Sequence, residues 1–205
     1  MMIQEMFQET IQRYSKDSQV SENNWNEIVR HYSEKHRFYH DLSHIENLSN
    51  QLIQVKDRIS DWDTILFSIL YHDIIYDVSS QENEEKSAEL ARIRLQSFDY
   101  ADHRIQKCVS QIIATKGHSA SDDLDTNLFL DADLSILGEE WDLYSEYCKN
   151  IRKEYSIYSD SDYKAGRGKV LKSFSNMDRI YKTDFFFERY EKRAKENLKR
   201  ELESL

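Results

Sequence analysis

The stretch WDTILFSILYHDIIYD, residues 62–77, determines the kind of fold that this chain can form. A helix that turns about 100° per residue places its apolar side chains, Ile65 and Ile69 among them, on one face. On the same helical wheel His72 falls at about −60° and Asp73 at about +40° from Ile69, so both side chains point towards the core. A buried carboxylate must be paired or must bind a metal. The stretch therefore predicts a buried helix that carries an inward-facing His–Asp pair.

Apolar residues recur at helical spacing along almost the whole chain, which predicts an all-α fold. The 205 residues include four Gly and no Pro, and the first Gly is Gly117, so a fold with many tight β-turns is not expected. The ten predicted helices span residues 3–14, 22–32, 44–59, 62–71, 83–98, 103–114, 126–137, 141–158, 163–176 and 185–205.

The composition argues against several classes of function. With 28 Lys and Arg against 38 Asp and Glu, the net charge is −10, so a nucleic acid duplex is not an expected partner. The sequence has no Gly-rich phosphate-binding loop and no nucleophile elbow, and Cys108 and Cys148 are too few for a disulfide framework. The N-terminal residues lack the apolar core of a signal peptide, and the longest apolar stretch, residues 65–70, is far shorter than the roughly 20 residues that span a bilayer. We therefore expect a cytoplasmic protein without a membrane partner.

A second segment, NLFLDADLSILG at residues 127–138, contains two Asp on different sides of a predicted helix. Phe129 and Leu137 lie within about 60° of Asp133 on the helical wheel, whereas Asp131 lies about 160° away from it. We therefore expect Asp133 to be buried, and Asp131 either to face solvent or to cap a neighbouring segment.

A third segment, HDLSHIENLSNQLIQVKDRI at residues 40–59, places His at the edge of an apolar stripe. His44 lies one turn before Leu48 of that stripe, and His40 lies one turn earlier still, ahead of the predicted helix. The inward-facing set then comprises His44, His72, Asp73 and Asp133. Two imidazoles and two carboxylates are ligands that suit Mn, Fe, Co, Ni or Mg, and they do not resemble the Cys ligands of a structural zinc site. The structural alternative is a buried His satisfied by a carboxylate, with Asp133 as a helix cap or a salt-bridge partner.

A longer series of motifs accompanies these residues in a fixed order. They are RFYHDLSHI at 37–45, YHDIIYD at 71–77, NEEKSAELA at 83–91, TKGH at 115–118, DADLSILG at 131–138, IRKEY at 151–155 and YKAGR at 163–167. From about residue 30 to the C-terminus, this series resembles the HD-domain superfamily of metal-dependent phosphohydrolases. The resemblance extends to a bacterial branch that sometimes carries a glutamate-receptor or NMDA-receptor subunit label.

The resemblance implies one HD-type domain over residues 1–205, an all-α helical bundle with additional C-terminal helices. Residues 1–30 would form an N-terminal helical appendage, and residues 140–205 would pack on the core. The family's metal ligands correspond to the four residues His44, His72, Asp73 and Asp133, and the implied cofactor is a divalent metal ion.

The same resemblance implies that a metal-activated water cleaves a phosphoester of a small, nucleotide-like substrate, with catalytic roles for Asp73 and Asp77. Some members have an acidic pair where this chain has Tyr76 and Asp77, so alarmone-type activity is not expected. Candidate substrate contacts are Arg37, His40, Lys116, His118 and Arg167, with Arg152 as a further cation.

Three other interpretations stay open from the sequence. Tyr76 in place of the acidic residue is compatible with a non-catalytic sensor that binds a metal or a nucleotide. The His and Asp side chains are also compatible with a helical interaction protein, and some HD-fold enzymes perform oxygenation. The sequence leaves the oligomeric state open, with a homodimer as one option.

Overall fold

A computed structural model describes residues 2–205, and all regular secondary structure in this part of the chain is helical, without strands. The all-α prediction is therefore confirmed. The α-helices are α1 (Met2–Ile11), α2 (Ser18–Tyr32), α3 (Leu42–Ile53), α4 (Trp62–Tyr71), α5 (Asn83–Gln96), α6 (Asp102–Ala114), α7 (Leu124–Asp133), α8 (Trp141–Glu154), α9 (Asp160–Ser175) and α10 (Asp184–Ser204). Two 3-10 helices, Lys56–Arg58 and Leu134–Gly138, follow α3 and α7.

The chain divides into two compact units, Met1–Leu130 and Asp131–Leu205. The first contains α1 to α6 and most of α7, and the second contains α8 to α10. The prediction of one domain over the whole chain stays a prediction. None of the helices in residues 2–205 is long and apolar enough to cross a membrane.

Helix α4 is the centre of the first unit. Every residue from Thr64 to Tyr71 is buried, and α1, α3, α5 and α6 pack around the helix. Helix α1 lies within the predicted appendage, yet it buries Ile3, Phe7 and Ile11 completely. The Phe7 ring meets Phe67 of α4 edge-on at 6.4 Å. Because α4 is enclosed in this way, its last turn ends in the interior of the first unit.

The N-terminus of α4 is fixed by the carboxylate of Asp61. This carboxylate accepts hydrogen bonds from the backbone N–H of Thr64 at 3.1 Å and from its hydroxyl at 2.6 Å, as an N-cap does. Arg104 of α6 donates to the same carboxylate through Nε at 2.8 Å. Burial raises the pKa of Asp61, but the hydrogen bonds from Arg104 and Thr64 outweigh burial and lower it to about 2. The charged contact holds the start of α4 against α6.

The second unit is held by a buried ion pair and by a close backbone approach. Arg167 of α9 donates through Nε to Glu201 of α10 at 2.7 Å, and the side chains of both residues are less than a tenth exposed. Gly138, at the end of the second 3-10 helix, lies so close to α10 that a Cβ added there would come within 2.5 Å of the Tyr190 Cβ. Only glycine fits at this approach.

Candidate metal centre

His72 and Asp73 directly follow the last turn of α4. The His72 backbone N–H donates to the Ser68 carbonyl at 3.0 Å, which continues the helical pattern for one residue beyond Tyr71. His72 is 1% exposed, while the Asp73 side chain is 20% exposed. The helix end thus presents a buried imidazole beside a carboxylate that solvent reaches.

His44 comes from the first turn of α3. Asp41 caps this helix, because its carboxylate accepts hydrogen bonds from the N–H of Ser43 at 2.8 Å and of His44 at 3.3 Å. His44 shares the buried side of α3 with Ile45 and Leu48 and is 4% exposed. The capped helix start therefore fixes the direction of a second buried imidazole.

The ligand atoms of His44, His72 and Asp73 converge. Asp73 Oδ2 lies 3.1 Å from His72 Nε2 and 3.7 Å from His44 Nε2, and the two Nε2 atoms are 3.1 Å apart. Two ligand atoms that each bond one ion at about 2.1 Å and at a right angle are about 3.0 Å apart. The ligand atoms of His44, His72 and Asp73 in the first unit therefore have spacings close to those expected around one ion.

The hydrogen bonding of His72 indicates which of its nitrogens is available. His72 Nδ1 lies 2.9 Å from the Ile69 carbonyl oxygen, and a carbonyl only accepts hydrogen bonds, so Nδ1 carries a proton and donates it. Nε2 of the neutral ring then directs a lone pair towards Asp73 Oδ2. A backbone bond that fixes the tautomer in this way is the usual arrangement around a metal-binding His.

His40 adds a third imidazole to the carboxylate. Its Nε2 lies 4.0 Å from Asp73 Oδ2, and its side chain is 20% exposed. The His40 ring packs against the Tyr76 ring at 4.3 Å and meets the Tyr39 ring edge-on at 4.9 Å. The structure therefore brings His40 together with His44 and Asp73, at a point that solvent reaches.

Phe129 and Tyr39 border the centre, although the sequence analysis did not assign them to it. The Phe129 ring meets the His72 ring edge-on, with centroids 5.7 Å apart, and the Tyr39 ring lies 5.0 Å from the His44 ring. Tyr39 could have been assigned to the centre from the sequence, because it directly precedes His40. Phe129 was recognised only as an apolar neighbour of Asp133.

Asp133 is the last residue of α7, four residues after Phe129. Residues i and i+4 share a helix face, so Asp133 follows Phe129 on the same side of α7. Asp133 is only partly buried. The expectation that it is the buried aspartate of this segment was therefore wrong.

Asp131 is the fully buried aspartate instead. Its carboxylate accepts hydrogen bonds from the backbone N–H groups of Lys182 at 2.8 Å and Thr183 at 2.7 Å, and from the Thr183 hydroxyl at 2.7 Å. The prediction that Asp131 caps a neighbouring segment is confirmed, and its solvent-facing alternative is excluded. Burial raises the pKa of this carboxyl above its ordinary value, against the opposing hydrogen bonds.

Asp77 occupies an exposed turn after α4. Its Oδ1 accepts from the Ser79 hydroxyl at 2.6 Å and from the Ser79 N–H at 2.8 Å, and these hydrogen bonds lower the pKa of Asp77. The Asp77 N–H donates to Asn83 at 3.1 Å. The predicted catalytic role of Asp77 stays a prediction.

The remaining predicted substrate contacts lie in three different settings. Lys116 donates to the Gln81 carbonyl at 2.6 Å. His118 adopts the left-handed backbone conformation with φ of 48°, and Arg167 belongs to the buried ion pair of the second unit. Their roles in substrate binding stay predictions, as does that of Arg37, whose contacts are given below.

The chain matches no family model, no curated protein and no solved structure.

Proposed function

We propose that the protein is a metal-dependent phosphohydrolase that cleaves a phosphoester of a small, nucleotide-like substrate. The observation that carries the proposal is the approach of two imidazole nitrogens and one carboxylate oxygen to within 3.1 to 3.7 Å of one another. A divalent metal bound there would polarise a phosphoryl oxygen and lower the pKa of its bound water to about 7.

The residues that would hold the ion are His44, His72 and Asp73, with Asp133 as a further ligand. Support for Asp133 comes from its position in α7, one turn after Phe129, whose ring meets the His72 ring edge-on. Imidazole and carboxylate ligands suit Mn, Fe, Co and Ni, and carboxylate ligands also suit Mg. The resemblance of the motif series to the HD-domain superfamily points to the same ligands.

His40 and Asp77 would act on the substrate and on water. The His40 imidazole lies beside Asp73 and is partly exposed, so it can donate a hydrogen bond to a bound phosphoryl oxygen. The Ser79 hydrogen bonds that lower the pKa of Asp77 favour its carboxylate form, and a carboxylate can orient a water molecule by accepting a hydrogen bond from it. Lys116 and His118 are proposed to contact the substrate from the loop after α6.

Tyr76 favours a second candidate function, a sensor that binds a metal or a nucleotide without turnover. Some members of the resembled superfamily have an acidic residue at this position, whereas the Tyr76 ring packs on His40 at 4.3 Å. In a sensor the same centre would bind its ligand and release no product.

Metal analysis and a phosphate-release assay separate these functions. Protein purified without a histidine tag is analysed for metal, and inorganic phosphate is then measured with nucleoside monophosphates and sugar phosphates in the presence of Mn, Co, Ni or Mg. We expect stoichiometric metal and metal-dependent release, both abolished in Asp73→Asn.

The matched control is Asp63→Asn. Asp63 lies at the other end of α4 and accepts a hydrogen bond from the Tyr14 hydroxyl at 2.5 Å, so its replacement should leave metal content and turnover intact. Saturable binding without product would favour the sensor. Wild-type protein that holds no metal would refute the phosphohydrolase, and protein that binds neither metal nor nucleotide would also refute the sensor and leave a structural role for the His–Asp group.

A further inference from the structure

Arg37 is a buried cation beside the metal centre. Its side chain is 0% exposed, and its guanidinium lies 5.0 Å from the Tyr32 ring and 5.4 Å from the Tyr76 ring. A buried cation is costly unless acceptors surround it. The groups that accept its hydrogen bonds therefore indicate what the residue does.

The acceptors of Arg37 belong to two chain segments. On the first segment, Nε donates to Glu34 at 3.0 Å and Nη1 donates to the His40 carbonyl at 3.1 Å. On the second segment, Nη1 donates to the Asp73 carbonyl at 2.6 Å and Nη2 donates to the Ile74 carbonyl at 2.9 Å. One guanidinium thus joins the loop before α3 to the turn after α4.

These two segments carry the converging side chains. The His40 carbonyl lies one residue before Asp41, which caps α3 and sets the start of the helix that holds His44. The Asp73 carbonyl belongs to a proposed ligand itself. A shift of one segment against the other would therefore change the separation of His44 Nε2 from Asp73 Oδ2, which is 3.7 Å.

We propose that Arg37 is a positioning residue that sets the spacing between the α3 and α4 ligands of the metal centre. Its planar fork of five N–H donors can bridge several carbonyl oxygens at fixed angles, which a Lys ammonium on a flexible stem cannot do. Tyr76 also contributes to this positioning, because its ring contacts both the Arg37 guanidinium and the His40 ring. The inference rests on the proposed function for its metal readout only.

The test compares Arg37→Met and Arg37→Lys with Arg94→Met. Arg94 is the matched control, because it makes a bidentate ion pair with Glu27 of α2, at 2.6 and 2.7 Å, in the same unit. The Kd for Co²⁺ and its visible absorption spectrum are measured for each full-length protein, along with urea unfolding of the metal-free form. Loss of a residue that orients metal ligands weakens affinity by about 10- to 100-fold. We expect that loss and an altered spectrum in both Arg37 variants, and a Kd within about threefold of wild type in Arg94→Met.

Equal loss of Co²⁺ affinity in Arg94→Met, or a wild-type Kd and spectrum in the Arg37 variants, would overturn the inference. If Arg37→Met does not fold, Arg37→Lys decides the outcome. If wild-type protein binds no Co²⁺, the proposed function fails, and the inference is decided by the ring ¹⁵N chemical shifts of His44 and His72 in metal-free protein. Shifts changed by Arg37→Lys and unchanged by Arg94→Met would support positioning, and any other pattern would overturn it.

Discussion

Replacing Asp73 by Asn should remove the stabilisation that a divalent metal gives to this protein. Asn keeps the shape of the side chain but removes the negative charge that faces His72 Nε2 at 3.1 Å. An ion that binds only the native state, at a free concentration about 100 times its Kd, stabilises that state by about 2.7 kcal/mol.

That free energy corresponds to a measurable shift of the melting temperature. The entropy of unfolding is about 2.1 cal/mol/K per residue, or about 430 cal/mol/K for a chain of 205 residues. Dividing 2.7 kcal/mol by this entropy gives a shift of about 6 °C. If the first unit melts by itself, its roughly 130 residues give a shift of about 10 °C.

Scanning calorimetry with and without Co²⁺ or Mn²⁺ measures the shift in wild type, Asp73→Asn and Asp63→Asn. The shift within each variant is compared, so a change in the stability of the metal-free protein cancels. We expect a shift of about 6 to 10 °C in wild type and in Asp63→Asn, and almost none in Asp73→Asn. A full shift in Asp73→Asn would refute the assignment of its carboxylate as a ligand.

Three further predictions concern stability and reactivity. Because the pKa of Asp61 is lowered from 3.8 to about 2, its contribution to the free energy of unfolding is present above pH 3.8 and is lost as the pH falls towards 2. Between pH 5 and pH 2, urea unfolding should show that Asp61→Asn loses about 2 kcal/mol less stability than wild type. Equal losses of stability would contradict this. Burial raises the pKa of Cys108 to about 12, so this thiol should react with Ellman's reagent at pH 8 only after unfolding. Gly138→Ala should destabilise the protein by about 1 to 3 kcal/mol, because its Cβ would overlap α10. Gly166→Ala, in open space on α9, should instead stabilise the protein by about 0.5 to 1 kcal/mol. Thermal melts that rank the two variants the other way would exclude the close packing of Gly138 against α10.

Helix positions followed from the sequence because apolar spacing marks the buried side of each helix. All ten predicted helices occur, and the differences lie at their ends. Helix α3 was predicted to continue to Ile59 but ends at Ile53, and a 3-10 helix follows at Lys56–Arg58. Val55 and Ile59 are nevertheless buried, since the 3-10 turn keeps them near the core. The apolar pattern fixes burial more closely than it fixes helix type.

The converging side chains were predictable only in part. The wheel correctly placed His72 in the interior, and the burial of His44 followed from its apolar stripe. Asp73, which the wheel also placed towards the core, is only partly buried. The burial of Asp131 was not predictable in this way, because it depends on the backbone N–H groups at 182–183, which no pattern around residue 131 contains. The acceptors of Arg37 were not predictable for the same reason, because they are backbone carbonyls that the sequence does not distinguish.

An anomalous-scattering map from crystals of untagged protein grown with Mn²⁺ or Co²⁺ tests the central claim most directly. The account predicts a peak within bonding distance of His44 Nε2, His72 Nε2 and the Asp73 carboxylate, with Asp133 as a further ligand. A map without a peak there, and with His44, His72 and Asp73 bonded only to one another, would contradict it.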